Sequence, residues 1–361
     1  MPIPDLHWLA PLCPLNSFET MEKPLARNHP VENKRAFRKA LLKWFQTNAK
    51  SYPWRKTSDP WSILVSEIML QQTTVASVLA NRRFEKFLKQ FPDIETIATA
   101  PEETILRAWE GLGYYNRVRN LQKTARAVLH DFEGQFPSDA ETLQTLPGIG
   151  RYTAGAVSSF AFNHPAPIVD GNIARVISRL LNCQKEVDST AGQKIIWQTA
   201  TELLDASKPR LFNSALMELG QTLCSPKSPG CLICPVRDYC QTRSPESLPV
   251  KKPRKKFVQV DEHAFFWIEK NKLLLSKGQD SRRQGFWKLP LRSPEQCAHL
   301  EPISQHRYTI THHKVTLYLY HAKPPRLLGG EKYHLISRLP DLPIATPVRK
   351  ILAAKTIELG L

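Results

Sequence analysis

Between about residue 33 and residue 222, apolar side chains return every three or four positions, the spacing that lays a stripe along one face of a helix. "NKRAFRKALLKWF" has this pattern. So does "SDPWSILVSEIMLQQTTVASVLANRRFEKFLKQF", where Asp59 suits an N-cap and Pro60 the first turn of a helix. Further helices are predicted over about 102–110, 116–131, 139–145, 151–161, 171–182, 191–205 and 211–222, so residues 33–222 read as all-α. The period changes at "TRSPESLPVKKPRKKF", residues 242–257, where three prolines and a basic run replace apolar periodicity, as in an exposed tether. Beyond it, "EHAFFWIEKNKLLLSK" predicts two strands around a charged turn and "KVTLYLYHA" a third strand. The tail "TPVRKILAAKTIEL" returns to helix, which makes residues 258–361 an α+β unit. Residues 1–32 hold six prolines with little periodicity and read as an irregular extension.

Composition narrows the partner. The 361 residues suffice for two domains, and 50 Lys and Arg against 33 Asp and Glu give a net charge of +17. Such an excess favours a polyanion, nucleic acid first and an anionic membrane surface second. No apolar run is long enough to cross a membrane and no leader pattern opens the chain, so a cytoplasmic protein is the expectation.

Four of the seven cysteines fall within residues 224–240, which argues for one clustered site in a reducing compartment rather than a disulfide framework. Cys224, Cys231, Cys234 and Cys240 enclose six, two and five residues, and four thiolates so spaced can converge on zinc or on an iron-sulfur cluster. Coordination chemistry alone leaves both open. Cys13, Cys183 and Cys297 read as ordinary small apolar residues.

Three further features carry candidate chemistry, each beside a plainer reading. In "LPGIG", Gly148 and Gly150 permit backbone angles other residues avoid, and the N–H groups of the next helix would face a phosphate oxygen; a bare helix connection explains the turn equally well. Glu67 lies among Ile63, Leu64, Val65, Ile68 and Leu70, surroundings that would raise its pKa, although the pattern by itself favours a glutamate facing solvent. Asp170, in "VDGN", reads first as a helix N-cap.

Taken together these segments resemble a known family. "LPGIGRYTAGA" is similar to the helix-hairpin-helix of the endonuclease III superfamily, within residues 143–161, and "PIVDGNIARVISRL" resembles the aspartate loop that follows it. The cysteine spacing over 223–243 resembles that superfamily's 4Fe-4S loop. "YPWR", "SEIMLQQTTV", "WEGLGYYNRVRNL" and "FNSALMELGQTLC" resemble motifs of the MutY-type adenine DNA glycosylases.

The resemblance implies one 4Fe-4S cluster on the four cysteines, Glu67 as catalytic acid and Asp170 as the carboxylate that stabilises the sugar cation, with Tyr152 and Asn172 in support. Tyr152 stands where the bifunctional branch has its lysine nucleophile, so strand cleavage by that route is not expected. Gln72 and Tyr114 would be wedges in the duplex, although spacing alone makes both partly exposed helix residues. Arg55 and Glu218 would read the extruded adenine, with a surface ion pair as the plain alternative. Gly148 and Gly150 would grip the backbone, and Arg117, Arg119 and Lys123 would line a phosphate track.

Residues 258–361, after the basic linker 244–257, resemble the MutT-like (Nudix-like) domain that reads 8-oxoguanine. No glutamate-rich helix follows Pro290, so pyrophosphohydrolase activity is not expected. Where the family usually has Phe, Ser, His, this chain has Ile310, Thr311, His312; the Thr311 hydroxyl remains for the lesion's edge, but an aromatic contact is lost. The implied partner is double-stranded DNA with adenine opposite 8-oxoguanine or guanine, bound by a monomer, nucleoid-associated if bacterial. The alternatives kept are a superfamily enzyme of different base preference and a cluster-bearing DNA-binding module without catalysis.

Overall fold

The computed structural model describes residues 28–253, 256–279, 283–310 and 312–358, with side chains as far as 355. The extension predicted over 1–32 therefore lies largely outside the described residues, as do Cys13 and Thr311.

The helical part begins with α1 (Lys34–Asn48), α2 (Pro60–Leu70), α3 (Val75–Leu79), α4 (Arg83–Gln90), α5 (Ile94–Thr99) and α6 (Glu102–Ala108). It continues with α7 (Asn116–Asp131), α8 (Ala140–Thr145), α9 (Arg151–Phe162), α10 (Gly171–Leu180), α11 (Thr190–Leu203) and α12 (Pro209–Thr222). Short polar side chains start many of them: Asp59, Thr74, Asp93, Asp139, Asp170 and Ser189 each accept a backbone N–H from the first turn, one of the donors a helix leaves unpaired. The helical run predicted from Ser58 to Phe91 breaks at residues 71–74, where Gln72 takes a left-handed φ of 53°.

Two apolar cores hold these helices. One gathers α2 and α4–α8 around Trp61, Phe87, Trp109 and Leu121. The other gathers α1 and α10–α12 around Phe37, Ile177, Leu203 and Phe212. Helix α9 serves both, since Ala154 and Val157 enter the first core while Ala156 and Tyr152 face the second. The boundary between the two lobes therefore runs along α9, and the first turn of that helix lies at the mouth of the groove between them.

The second part carries β1 (Val258–Phe265), β2 (Ile268–Glu269), β3 (Lys272–Lys277), β4 (Trp287–Lys288), β5 (Leu291–Arg292), α13 (Pro294–Cys297), β6 (Ser304–Ile310), β7 (His313–Tyr320), β8 (Glu331–Leu335) and α14 (Thr346–Glu358). One sheet has the order β5-β1-β7-β6, with β1 and β7 parallel from Val258 opposite His313 to Phe265 opposite Tyr320. In the other, β3 pairs with β2, β4 and β8. Val348, Ile351 and Leu352 of α14 pack with Phe266, Leu275 and Leu319. Two buried bidentate pairs, Arg283 with Glu262 and Arg292 with Glu331, neutralise charges that could not be buried alone.

Candidate active site

Helix α2 is buried from Ile63 through Met69, because the first core covers one side and α9 the other. Glu67 is therefore 3% exposed, which corrects the plain reading of a glutamate facing solvent. A two-sided apolar pattern belongs to a central helix, and centrality is a tertiary property. The Tyr152 hydroxyl, on the first turn of α9, donates to Glu67 Oε2 at 2.6 Å. Burial pushes the Glu67 carboxyl up to about 7, against the opposing pull of that hydrogen bond, with nearby Asp170 adding to the rise.

Asp170 precedes α10 and does two jobs. Its Oδ1 accepts the Ile173 N–H at 2.7 Å as the helix cap, and its Oδ2 accepts Asn172 Nδ2 at 2.8 Å. Burial raises its carboxyl, and these two donors hold the rise in check. Glu67, Tyr152, Asp170, Asn172 and Gln72 line one open cleft of about 730 Å³, so the two carboxylates share a groove between the lobes. Gly150 caps α9 at the edge of this groove with an ordinary φ of −90°; only Gly148, φ 79°, needs the left-handed region. A Cβ on Gly148 would also meet the Asn120 side chain at 2.5 Å, so the turn is fixed by packing as well as by backbone angle.

Beside the cleft lies a narrow recess of about 40 Å³ that shares Glu67 and Leu70 with it and is walled by Tyr52, Trp54 and Arg55. Tyr52 and Trp54 stack with centroids 5.1 Å apart. The Arg55 guanidinium lies 4.8 Å from the Tyr52 ring and pairs with Glu218 at 2.7 Å. Glu218 is fully buried on α12, which corrects the surface-pair reading, and its Oε1 has no hydrogen-bond partner. Arg210, from the start of α12, closes the far side by donating to the carbonyls of Arg55 and Thr57.

Gln72 and Tyr114 are exposed, but neither is a helix residue. Both sit in tight loops with φ of 53° and 46°. Arg117 explains how. Its buried guanidinium donates to the carbonyls of Ile68, Met69 and Gln71 below one loop, and to those of Leu112 and Gly113 in the other. The expectation that Arg117 lines a phosphate track is thereby corrected: those carbonyls, left over where α2 ends, take its donors. Arg119 is likewise engaged, with Glu102 at 2.7 Å and with the Gln284 carbonyl, whereas Lys123 is exposed. Tyr114 and His312 line a second, larger cleft of about 1490 Å³ between the two parts of the chain; the His312 and His313 rings lie 4.1 Å apart, tilted by 41°.

Residues 65–202, which carry Glu67, Tyr152 and Asp170, match the family described as HhH-GPD superfamily base excision DNA repair protein. An adenine DNA glycosylase from Buchnera aphidicola subsp. Baizongia pistaciae is 36% identical over 257 residues, 70% of this chain and 71% of that protein. The chain belongs to the adenine DNA glycosylase family. The human member is 41% identical over 217 residues, 58% of this chain and 39% of the human protein, so the match spans well under half the length of that relative. Among solved structures, a thermostable thymine-DNA glycosylase is 32% identical with a TM-score of 0.53, covering 58% of this chain and 95% of its own. Endonuclease III in a non-covalent complex with DNA is 25% identical with a TM-score of 0.50, covering 59% and 97%.

The cluster that membership in this family implies can be tested on the cysteine loop. Cys224, Cys234 and Cys240 pack against the second core, while Cys231 is exposed. Burial, with the neighbouring Cys224, Cys240 and Cys231 adding to it, pushes the Cys234 thiol up to about 12. Among the described residues no group of His, Cys, Asp and Glu is tight enough to chelate a single ion. Four thiols on one loop, three of them packed against the second core and one exposed, form a donor set that suits a cubane, whose four irons take one thiolate each.

Sequence reasoning missed the two arginines that organise this loop. Arg179 is 1% exposed and donates to the Ser225 and Pro245 carbonyls and to Cys224 Sγ at 3.3 Å. Arg175 donates to the Cys224 carbonyl at 2.8 Å and to Asn172 Oδ1 at 3.0 Å, which ties the loop to the aspartate site. The available signal was their place one turn apart on "NIARVISRL", the face of α10 that carries Asp170 at its start.

Proposed function

We propose that this protein is a monofunctional adenine DNA glycosylase that releases adenine mispaired with 8-oxoguanine or guanine. One observation carries the reading: a buried carboxyl with a pKa of about 7, hydrogen-bonded by Tyr152, opens on the same cleft as Asp170. Breaking the bond between C1′ and the purine nitrogen sends an electron pair onto the base, and a proton from Glu67 neutralises it. Tyr152 donates to Oε2, which leaves Oε1 to carry that proton. The Asp170 carboxylate, held by Asn172 and the Ile173 N–H, faces the positive charge that develops on the sugar until water adds at C1′ and its proton returns to the carboxylate left on Glu67. The stacked Tyr52 and Trp54 supply an apolar wall for an extruded base, and the unpartnered Glu218 Oε1 is an acceptor suited to an exocyclic amine.

Exposed Gln72 and Tyr114, each on a loop tip, suit wedges that fill the gap left by the base. Gly148 and the α9 N-terminus at Gly150 suit a phosphate contact. The residues that would hold the 4Fe-4S cluster are Cys224, Cys231, Cys234 and Cys240, and a bound cluster would supply a rigid tie for the loop that Arg175 joins to Asn172. The β-rich part is read as a MutT-like domain for the lesion strand, because His312 shares a cleft with Tyr114.

The test is an assay of base release from duplexes holding one adenine opposite 8-oxoguanine, guanine or thymine, with and without alkaline work-up. Wild-type protein should give alkali-dependent breaks for the first two, and Glu67→Gln should give none while still binding. Lys50 lines the same cleft, so breaks without alkali would assign strand scission to an amine and overturn the monofunctional reading.

A further inference from the structure

The loop that presents Tyr114 is held from both parts of the chain. On the helical side it runs Gly111, Leu112, Gly113, Tyr114, with Gly111 at φ 85° and Gly113 at φ 69°, a backbone with little stiffness of its own. The next residue, Tyr115, packs its ring on Phe286 at a centroid distance of 4.0 Å. Phe286 belongs to the β-rich part by sequence, directly before β4, yet it is 1% exposed and buried in the first core of the helical part. Its own position is anchored: Gly278 donates to its carbonyl at 2.7 Å, and Arg283, three residues back, is held to Glu262 by two bonds of 2.8 Å.

The neighbouring contacts all grip the same segment. Gly111, Tyr115, Phe286 and Thr346 line the same cleft between the two parts. Arg349, on α14, pairs with Glu110, and Arg119 reaches the Gln284 carbonyl. A Cβ on Gly285 would meet Arg119 Nη2 at 3.0 Å and Leu106 Cδ1 at 3.2 Å, so the two parts approach here without room for a side chain.

We propose that Phe286 is a positioning residue through which the β-rich part sets the Tyr114 loop, so that the wedge is in place only when that part is docked. This rests on the glycosylase reading for its kinetic consequence and on the geometry alone for its conformational one. A large ring buried in the core of the helical part resists displacement, and the loop it backs has two glycines, Gly111 and Gly113, just before Tyr114.

The experiment compares full-length wild type, Phe286→Ala, Phe286→Leu, Tyr114→Ala and the double variant Tyr114→Ala with Phe286→Ala. Amide hydrogen exchange without DNA should rise in residues 109–116 for Phe286→Ala and stay unchanged in α2 and α9; a rise spread over all helices, or none at 109–116, overturns the proposal. Exchange needs no substrate, so its outcome does not depend on whether adenine is the base released. Single-turnover release should fall roughly 10- to 100-fold in Phe286→Ala through a lower maximal rate, and partly recover in Phe286→Leu. The double variant should be no slower than Tyr114→Ala; multiplied losses would mean that Phe286 acts elsewhere, and would sink the idea. Should Phe286→Ala fail to fold, Phe286→Leu carries the same two readouts, with a smaller rise and loss expected.

Discussion

Glu67 shows how far a single residue's chemistry depends on where its helix lies. With an ordinary value of 4.5 raised to about 7 by burial, the folded protein holds a proton that the unfolded chain gives up, so stability is complete below about pH 4.5 and declines as pH rises through about 7. The loss should be on the order of 3 kcal/mol for a shift of that size, and Glu67→Gln should remove this slope from urea midpoints taken across the range. In the proposed reaction this proton is the one delivered to the base, so maximal release rates should fall about tenfold per unit above about pH 7. A rate flat through that interval would assign the acid elsewhere. Arg117 makes the complementary case. Its replacement by alanine leaves buried carbonyls of two loops unpaired, and a destabilisation of roughly 3 kcal/mol is expected from urea unfolding. A surface phosphate ligand at this position would instead leave stability unchanged.

These residues also mark what a sequence gives up on inspection. The cysteine spacing and "LPGIG" are legible because each binds its chemistry into a few consecutive positions. Arg117, Arg175 and Arg179 are not, because in a chain with 50 Lys and Arg a buried arginine is written with the same letter as a solvated one, and Phe286 is not, because its core belongs to a distant part of the chain. Each role also depends on a partner 45 or more residues away, such as Cys224 for Arg179 and Ile68 for Arg117.

At the scale of elements the helices are readable and their interruptions are not. The pattern places a helix over 116–131 and α7 occupies those residues, but the break at Gln72 follows from carbonyls being drawn to Arg117 across the fold. Strand β6 escapes the pattern for a related reason: "SQHRYTI" alternates exposed and half-buried residues at a sheet edge, with too few apolar side chains to declare a strand. The start of α10 carries a prediction of its own, since Asp170 is both cap and charge. Asparagine can keep the cap bond to Ile173 through its oxygen but loses the negative charge and the bond accepted from Asn172, so Asp170→Asn should melt within a few degrees of wild type while release falls roughly 100-fold or more. Asp170→Ala should lose the cap as well, about 1 kcal/mol by thermal unfolding. If asparagine retained full activity, Asp170 would be a cap and nothing else.

For the whole molecule, the +17 charge separates affinity from chemistry. On the proposed function, exposed cations such as Lys123 would act on phosphates through counterion release, a term that ignores base identity, whereas Glu67 and Asp170 would act at one bond in a groove between the lobes. Raising salt should therefore weaken binding steeply, with a linear fall of log affinity against log salt that has nearly the same slope for duplexes with and without the adenine mispair. The maximal single-turnover rate, measured with protein in excess over its dissociation constant at each salt, should change little, because the carboxyl and its tyrosine are enclosed and poorly screened. Anisotropy titrations and quenched-flow release on the same duplexes give both quantities. Should the maximal rate fall in step with affinity, the phosphate contacts would be helping to build the catalytic geometry, and the separation between a charged exterior that holds DNA and a buried acid that cuts the bond would not stand.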